Sequence, residues 1–233
     1  LEVFNAGIGG DTAADMYKRL DDDVFNRQPT TLLVTFGMND TGYFEYNGPD
    51  AAAFGEKKYR ECLENYRKIE ARLKTLKDVH IVLIGSSPYD ETAEIKDNTP
   101  FKNKNAVMKR VVEFQRKSAR ENGWEFLDFN DPMVEITLRE QAADPGFTLS
   151  GGDRIHPEND GHMVMAYLIL KAQGFAGKAV AAIEIDAAKR SVLEARHCPI
   201  LNLTRHPRQL VLDSLAEATP TPLQPLPPAT DPH

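Results

Sequence analysis

The sequence lacks most of the features that mark disulfide scaffolds, membrane proteins and nucleic-acid binders. Its 233 residues include only two cysteines, Cys62 and Cys198, and their wide separation excludes a disulfide framework and a Cys-x-x-Cys metal site. The sequence leaves a single disulfide between these two cysteines possible, although two buried free thiols are the simpler interpretation. No apolar run approaches the roughly 18–20 residues that a membrane span needs. The formal net charge of −7 disfavours a nucleic acid as the main partner.

The chain also lacks an initiator methionine, a visible signal peptide and an internal repeat, and it starts at Leu1 inside an apolar segment. We expect from this start that a segment of the complete protein precedes Leu1. The length suffices for one core with an appendage. Basic residues are scattered, and we interpret local clusters such as Lys102–Lys104 as solvated helix faces.

Apolar strand-like runs alternate with helical patterns over the first 177 residues. The predicted strands are Leu1–Ala6, Thr30–Phe36, Val79–Ile84 and Trp124–Leu127. The predicted helices are Thr12–Phe25, Ala51–Leu76, Asn105–Asn122, Pro132–Ala142 and Asn159–Gln173. Because Thr30–Phe36 is apolar and β-branched almost throughout, we expect it to be buried on both faces of the sheet. The alternation predicts an α/β fold with a parallel sheet between helices.

The pattern of predicted elements changes after Gly177. Short strand-like segments over residues 178–218 indicate a small β-rich appendage or the start of a second domain. These segments are Val180–Ile185, Ser191–Ala195, Ile200–Leu203 and Gln209–Leu212. The stretch Thr219–His233 is rich in proline, which is typical of a tail or linker in the polyproline II conformation or without fixed structure.

Three blocks carry the residue types that hydrolytic chemistry needs, and each follows a predicted strand or precedes a predicted helix. The first block is Asn5–Thr12, whose glycines allow a sharp turn with N–H groups directed at an anion. The second block is Gly37–Asp40, where the side-chain amide of Asn39 can donate to an oxyanion. The third block, Asp153–Pro157, supplies an orienting carboxylate and a general base three residues apart.

These blocks together resemble the SGNH, or GDSL, hydrolase family over roughly residues 1–177. The resemblance implies a three-layer α/β/α flavodoxin-like fold and the hydrolysis of carboxylic esters, including acetyl groups on carbohydrates. It places the family's glycine oxyanion donor on Gly10 and its asparagine donor on Asn39. The family's Asp-x-x-His pair falls on Asp153 and His156. Extracytoplasmic placement is an analogy from the family alone.

The chain departs from the family in its nucleophile. The family's Gly-Asp-Ser-Leu block precedes the Gly-rich block by about a strand and a helix, and no such block is present here. We therefore expect the serine, with the first strand of the sheet, to lie upstream of Leu1, and we expect this chain alone to be inactive. The pair Gly85-Ser86 follows the wrong strand. A permuted serine in Asp213-Ser214-Leu215 is a weaker alternative.

The resemblance also implies a mechanism without a metal or an organic cofactor. His156 removes the serine proton, Asp153 holds the imidazole, and Gly10 and Asn39 stabilise the oxyanion. The expected substrate is a small ester or an O-acylated carbohydrate. The loop Thr41–Asp50 offers Tyr43, Phe44 and Tyr46 as a sugar-stacking surface, with core packing as the other interpretation. Nothing in the sequence specifies an oligomeric state.

Three other functions remain open from the residues alone. A nucleotide-binding module would use Gly7–Gly10, although Thr12 stands where the dinucleotide fingerprint needs its third glycine. A metal-dependent hydrolase would use Asp153, His156 and His162 as ligands. A non-catalytic carbohydrate-binding descendant of the hydrolase family is the third.

Overall fold

A computed structural model describes residues 2–177 and 179–215. The chain divides into two compact units, Leu1–Leu168 and Ile169–His233, which we describe separately. The predicted proline-rich tail Thr219–His233 falls outside the described residues. The predicted domain boundaries remain a prediction.

The first unit is built on a parallel sheet of three strands in the order β1-β2-β3. These strands are β1 (Thr31–Phe36), β2 (His80–Gly85) and β3 (Glu125–Asp128). The central strand β2 is buried along almost its whole length, as its unbroken apolar sequence predicts. The parallel α/β arrangement expected from the sequence is therefore confirmed.

The helices around this sheet follow the predicted order, with boundaries shifted by one to three residues. They are α1 (Ala13–Lys18), α2 (Leu20–Asp23), α3 (Ala51–Leu73), α4 (Lys104–Asn122), α5 (Asn130–Gln141) and α6 (Asn159–Ala172). Among the residues that the structure describes, no helix has the length and apolar character to cross a membrane.

The core lies between the sheet and the helices α3 and α4. Helix α3 buries Cys62, Tyr66, Ile69 and Leu73, which recur at intervals of three or four residues and form one face. The ring of Tyr66 stacks on Phe36 of β1, with 4.6 Å between ring centroids. This packing fixes β1, and with it the loop that follows Phe36.

The prediction of two buried faces is wrong for β1. Val34 and Phe36 face the core, but Leu33 is 52% exposed. Strand β1 lies at the edge of the described sheet, where helix packing covers one face only. The predicted strand Leu1–Ala6 is also not observed, since residues 2–6 contain no strand. In a flavodoxin-like order that segment would lie two positions from β1, so no described strand offers it backbone hydrogen bonds.

The predicted helix Thr12–Phe25 is divided at Arg19 into α1 and α2, and a 3-10 turn follows at Phe25–Arg27. Arg19 leaves the helical conformation, with φ −111° and ψ 8°. Its guanidinium binds Asp11 and Asp23 and donates to the carbonyl of Ala6. Three successive aspartates and Val24 follow, and these residues have low helix propensity, which favours the break.

The second unit contains two antiparallel hairpins. Strands β4 (Ala182–Asp186) and β5 (Ser191–Arg196) form the first, and β6 (Ile200–His206) and β7 (Gln209–Ser214) form the second. Ser214 pairs with Ile200 inside the second hairpin. The alternative of a permuted nucleophile at this serine remains a prediction. Cys198, like Cys62 in the first unit, is a buried free thiol.

We expect Leu83→Ala to lower the free energy of unfolding by about 2–5 kcal/mol, because Leu83 is fully buried at the centre of β2. The matched control is Leu33→Ala, which should change it by less than about 0.5 kcal/mol, since half of that side chain is in water. Urea unfolding followed by circular dichroism measures both. Equal losses would contradict the edge position of β1.

Candidate active site

All three strands of the parallel sheet end in the same row. Phe36 pairs with Gly85, and Gly85 pairs with Asp128, and each is the last residue of its strand. The loops after these residues consequently start side by side at one edge of the sheet. The carboxyl edge of a parallel sheet is where α/β proteins place their ligands.

The side chain of Asn39 is fixed at both ends at this edge. Its Nδ2 donates to the carbonyl of Asp11 over 3.0 Å, and its Oδ1 accepts from the Tyr43 hydroxyl over 2.5 Å. An amide nitrogen carries two hydrogens. The second hydrogen on Asn39 has no partner among the described residues, so it is available to a bound oxygen.

A buried carboxylate ties the first block to the second. Asp40 Oδ1 accepts from the N–H of Ala13 over 2.8 Å, and Asp40 Oδ2 accepts from the N–H of Gly37 over 3.0 Å. Burial raises the pKa of Asp40, although both N–H groups and the Cys62 thiol favour its charged form. The start of α1 and the end of β1 therefore share one anchor.

Gly10 lies in the turn before α1 with φ +86°, a conformation that favours glycine. The turn is closed by the N–H of Asp11, which donates to the carbonyl of Ile8 over 3.3 Å. Gly10 itself is exposed, and its own N–H makes no hydrogen bond within the described part of the chain. Asn39 binds the carbonyl of the adjacent Asp11, and the role of Gly10 as a backbone donor remains a prediction.

The third block forms the acid–base pair that its spacing predicts. Nδ1 of His156 lies 2.6 Å from Oδ2 of Asp153. Asp153 Oδ1 accepts from the N–H groups of Ile155 and His156, both over 2.9 Å. Partial burial acts to raise the pKa of Asp153, but the His156 ring and these two N–H groups outweigh it and hold the pKa below its ordinary value. The carboxylate is therefore ionised and orients the imidazole.

The outer nitrogen of His156 faces open space. The His156 side chain is 81% exposed, and its Nε2 has no hydrogen-bond partner in the described ranges. An imidazole bound through Nδ1 with a free Nε2 is in the state that a general base requires.

Arg154, between the two residues of this pair, is an anchor that the sequence did not reveal. It is 1% exposed, and its guanidinium donates to Asn98 Oδ1 and to the carbonyls of Asp90, Ala93 and Asn98. The carbonyl of Arg154 accepts from the N–H of Asp90 over 3.1 Å. Its backbone is left-handed, with φ +71°. The loop therefore sends Arg154 inward and His156 outward.

Two glycines allow the third block to fold closely. A Cβ added to Gly151 would lie 2.4 Å from the carbonyl oxygen of His156, and one added to Gly161 would lie 2.2 Å from that of Leu149. Neither contact is tolerable for backbone atoms. Gly151 also has φ +69°. These approaches bring the start of α6 against the loop that carries the pair.

Tyr43 links the second block to the third electrostatically. Burial, together with the negative charges of Asp153 and Asp40, raises the pKa of Tyr43 to about 12. Tyr43 donates to Asn39, so the predicted oxyanion donor lies within electrostatic reach of the acid–base pair. The structure thus brings Gly10, Asn39, Asp153 and His156 to one edge of the first unit, and their catalytic roles remain predictions.

Three of the four serines of the first unit have their hydroxyls engaged away from His156. The hydroxyl of Ser86 donates to the carbonyl of Ser87, that of Ser118 donates to Glu70, and that of Ser150 donates to the carbonyl of Pro88. The hydroxyl of the fourth, Ser87, makes no hydrogen bond to a described residue. No serine within residues 2–177 and 179–215 is hydrogen-bonded to His156.

Within the part of the chain that the structure describes, neither a three-ligand metal site nor a dinucleotide-binding glycine turn is assembled. His162 is exposed on α6, and the described residues contain no group of three or more His, Cys, Asp or Glu side chains that could hold a metal ion. Thr12, at the third glycine position of a dinucleotide fingerprint, donates its hydroxyl to Asp15 over 2.6 Å and caps α1. That capping box serves the helix rather than a nucleotide phosphate.

A parallel α/β sheet with an Asp–His pair and amide groups at its carboxyl edge is typical of hydrolytic enzymes that have an α/β fold. The sequence model of the GDSL-like Lipase/Acylhydrolase family matches residues 1–164. The chain belongs to this family, as its three blocks predicted.

Three relatives illustrate the relationship. The acetylxylan esterase of Geobacillus stearothermophilus is 28% identical over 181 residues, which are 75% of this chain and 73% of the esterase. BT4096, a gut microbial diltiazem-metabolizing enzyme, is 59% identical with a TM-score of 0.85; the match covers 93% of this chain and 49% of that one. The chain therefore spans about half the length of that enzyme. The acetyl xylan esterase AlAXEase is 21% identical with a TM-score of 0.54, over 71% of this chain and 78% of its own. These structures confirm the three-layer α/β/α fold class.

We expect Arg154→Met to loosen the loop that carries His156, because two buried and two partly buried acceptors would lose their donor. Amide hydrogen exchange at Ile155 and His156 should accelerate by about 10-fold or more, equivalent to about 1.4 kcal/mol. Exchange in β2 should stay unchanged. The control is Arg139→Met, at an exposed ion pair on α5. Unchanged exchange at Ile155 and His156 would contradict the anchoring role.

Proposed function

We propose that this chain carries the general base and the oxyanion donors of a serine esterase that removes small acyl groups from carbohydrates. One observation carries the proposal. His156 is hydrogen-bonded to Asp153 through Nδ1 and exposes a free Nε2 at the sheet edge where Asn39 keeps a free amide hydrogen. These two features support a reaction in which a serine and an ester carbonyl lie between the base and the oxyanion donor.

The proposed reaction has two steps. In the first, His156 accepts the proton of the serine hydroxyl while the serine oxygen attacks the ester carbonyl, and the imidazolium then protonates the departing alcohol. In the second, His156 activates water, which releases the acid and restores the serine. The N–H groups of Gly10 and Asn39 stabilise the negative oxygen in both steps, and loss of one such donor costs about 3–4 kcal/mol. Asp153 stabilises the imidazolium.

We infer that the nucleophile lies N-terminal to Leu1. The hydroxyls of Ser86, Ser118 and Ser150 are engaged elsewhere, no serine of the described residues is hydrogen-bonded to His156, and Leu33 of β1 is half-exposed. The relative that is 59% identical is about twice as long as this chain. Variants of the Geobacillus stearothermophilus esterase that lack a serine, an aspartate or a histidine are each described as catalytic mutants.

The aromatic side chains that follow Asn39 in sequence support the proposal that the alcohol part of the substrate is a carbohydrate. Phe44 is 80% exposed, and its ring lies 5.5 Å from that of Phe101 in an edge-on contact. Tyr43, the neighbour of Phe44, binds Asn39 directly. Tyr46 of the same loop is buried and belongs to the core. An exposed aromatic face at the rim of a site is suited to stacking on a sugar ring, in line with the acetylxylan esterase among the relatives.

We expect no hydrolysis of p-nitrophenyl acetate by this chain above the uncatalysed rate, whereas a polypeptide extended to include the proposed serine block should release acetate from acetylated xylo-oligosaccharides. In the active form, Asp153→Ala and His156→Ala should lower kcat by about 10⁴-fold or more. His162→Ala, at an exposed position of α6, serves as the control.

Equal activity of the two polypeptides would contradict an upstream serine. Binding of the acetylated oligosaccharide without hydrolysis by either polypeptide would overturn the esterase proposal and favour a carbohydrate-binding protein.

Phe44→Ala should raise KM for an acetylated xylo-oligosaccharide by about fivefold, since one stacking contact contributes about 1 kcal/mol. KM for p-nitrophenyl acetate should stay the same, because this ester has no sugar ring. Leu138→Ala, which removes a half-exposed apolar side chain from α5, should affect neither substrate. A parallel rise in both KM values would argue against a sugar-stacking role.

A further inference from the structure

Two features of its position disfavour a positive charge on Lys104. It is fully buried, so the prediction that Lys102–Lys104 lies on a solvated helix face is wrong for this residue. It is also the first residue of α4, where the helix dipole disfavours a cation. Burial lowers the pKa of Lys104 to about 7, although the negative charges of Asp40 and Glu91 act in the other direction. A buried lysine at such a site needs compensating contacts.

Those contacts all go to one short segment. The Nζ of Lys104 donates to the carbonyl of Met38 over 2.8 Å, to the hydroxyl of Thr41 over 2.6 Å and to the carbonyl of Gly42 over 2.7 Å. An ammonium group has three N–H donors, and all three are used. The acceptors lie on both sides of Asn39 in sequence, so the amine bridges the two ends of the turn that carries this residue.

Lys104 also reaches Asn39 by a second route. Its Nζ lies 4.3 Å from the centre of the Tyr43 ring, within the range of a cation–π contact. Tyr43 in turn donates to the Oδ1 of Asn39 and so fixes which edge of the amide carries the N–H groups. The contacts of the amine thus set both the backbone and the amide orientation of Asn39.

The start of α4 does not depend on this amine for its own stability. The carboxylate of Glu91 accepts from the N–H groups of Asn103 and Asn105 and neutralises the exposed end of the helix. An apolar residue at position 104 would avoid the desolvation of a charge. The hydrogen bonds of the Lys104 amine instead stabilise the turn from Met38 to Gly42.

We propose that Lys104 is a positioning residue that holds the amide of Asn39 in place to receive the oxyanion. This inference rests on the proposed esterase function. Lys104 does not touch the substrate, and it acts through the turn and through Tyr43. Its removal should leave substrate binding in the ground state and lose stabilisation that appears only in the transition state.

The test compares Lys104→Met with Lys117→Met, a substitution on the same helix at an exposed lysine that pairs with Glu121. Methionine keeps the length of the side chain and removes the amine. The first readout needs no turnover: hydrogen exchange of the Asn39 side-chain amide, followed by NMR in this chain. We expect exchange to accelerate about 10-fold or more in Lys104→Met and to stay unchanged in Lys117→Met.

The second readout is a double-mutant cycle on kcat in the polypeptide that carries the serine. Lys104→Met should lower kcat by about 10-fold or more with KM within about twofold, and Asn39→Ala should lower kcat by about 10²–10³-fold. In the Asn39→Ala background, Lys104→Met should change kcat by less than about twofold, since its effect passes through Asn39.

The outcomes separate the two proposals. If Asn39→Ala leaves kcat unchanged, the oxyanion assignment fails, and exchange of the Asn39 amide still tests the positioning. If Asn39→Ala acts but Lys104→Met lowers only stability, with exchange and kcat unaltered, the positioning inference is overturned. Additive effects of both substitutions would overturn it as well.

Thr41→Val keeps the test decisive if Lys104→Met does not fold. This change removes one acceptor of the Lys104 amine and conserves the volume of the side chain. We expect a smaller fall in kcat, about threefold to 10-fold, again with KM unchanged and again absent in the Asn39→Ala background. Unchanged kcat in a folded Thr41→Val protein would contradict the role of this contact.

Discussion

The buried carboxylate of Asp40 accepts hydrogen bonds from two loops that are far apart in sequence, and the geometry of the sheet edge depends on it. Gly37 starts the loop after β1, and Ala13 starts α1, so one side chain sets the distance between them. The contact from Asn39 to Asp11 lies directly beside this anchor. Because burial makes the charge of Asp40 costly, the carboxylate keeps its place only while both N–H groups face it.

The two halves of the candidate site differ in how they are held. The turn that carries Asn39 is held by two buried side chains, Asp40 and Lys104. His156, in contrast, projects into solvent from a loop that the buried Arg154 anchors. In the proposed mechanism, the oxyanion donor is thus held by several hydrogen bonds, and the base that exchanges protons with an alcohol and with water is accessible. Substrate bound over this edge would itself supply the cover that His156 lacks.

Much of this arrangement could be predicted from the sequence, and the failures have a common cause. Motifs placed Asn39 directly after a strand and the Asp153–His156 pair directly before a helix, because apolar patterns mark these elements and local spacing decides the contact between i and i+3 residues. Arg154 and Lys104 were missed, since both are charged residues in polar surroundings of the sequence and their burial depends on distant carbonyl groups. The one-sided burial of β1 was missed for a related reason, because an apolar run does not specify how many neighbours a strand has.

Gly151 and Gly161 make the third block sensitive to mutation in a way unrelated to chemistry. Every missense change of a glycine codon adds at least a Cβ, and at these two positions that atom would collide with a backbone oxygen. A saturation library would therefore record both positions as intolerant, as it would an essential base. Substitution at these two positions is limited by the space between two backbone segments, so intolerance in such a library would report the shape of the loop rather than a role in proton transfer.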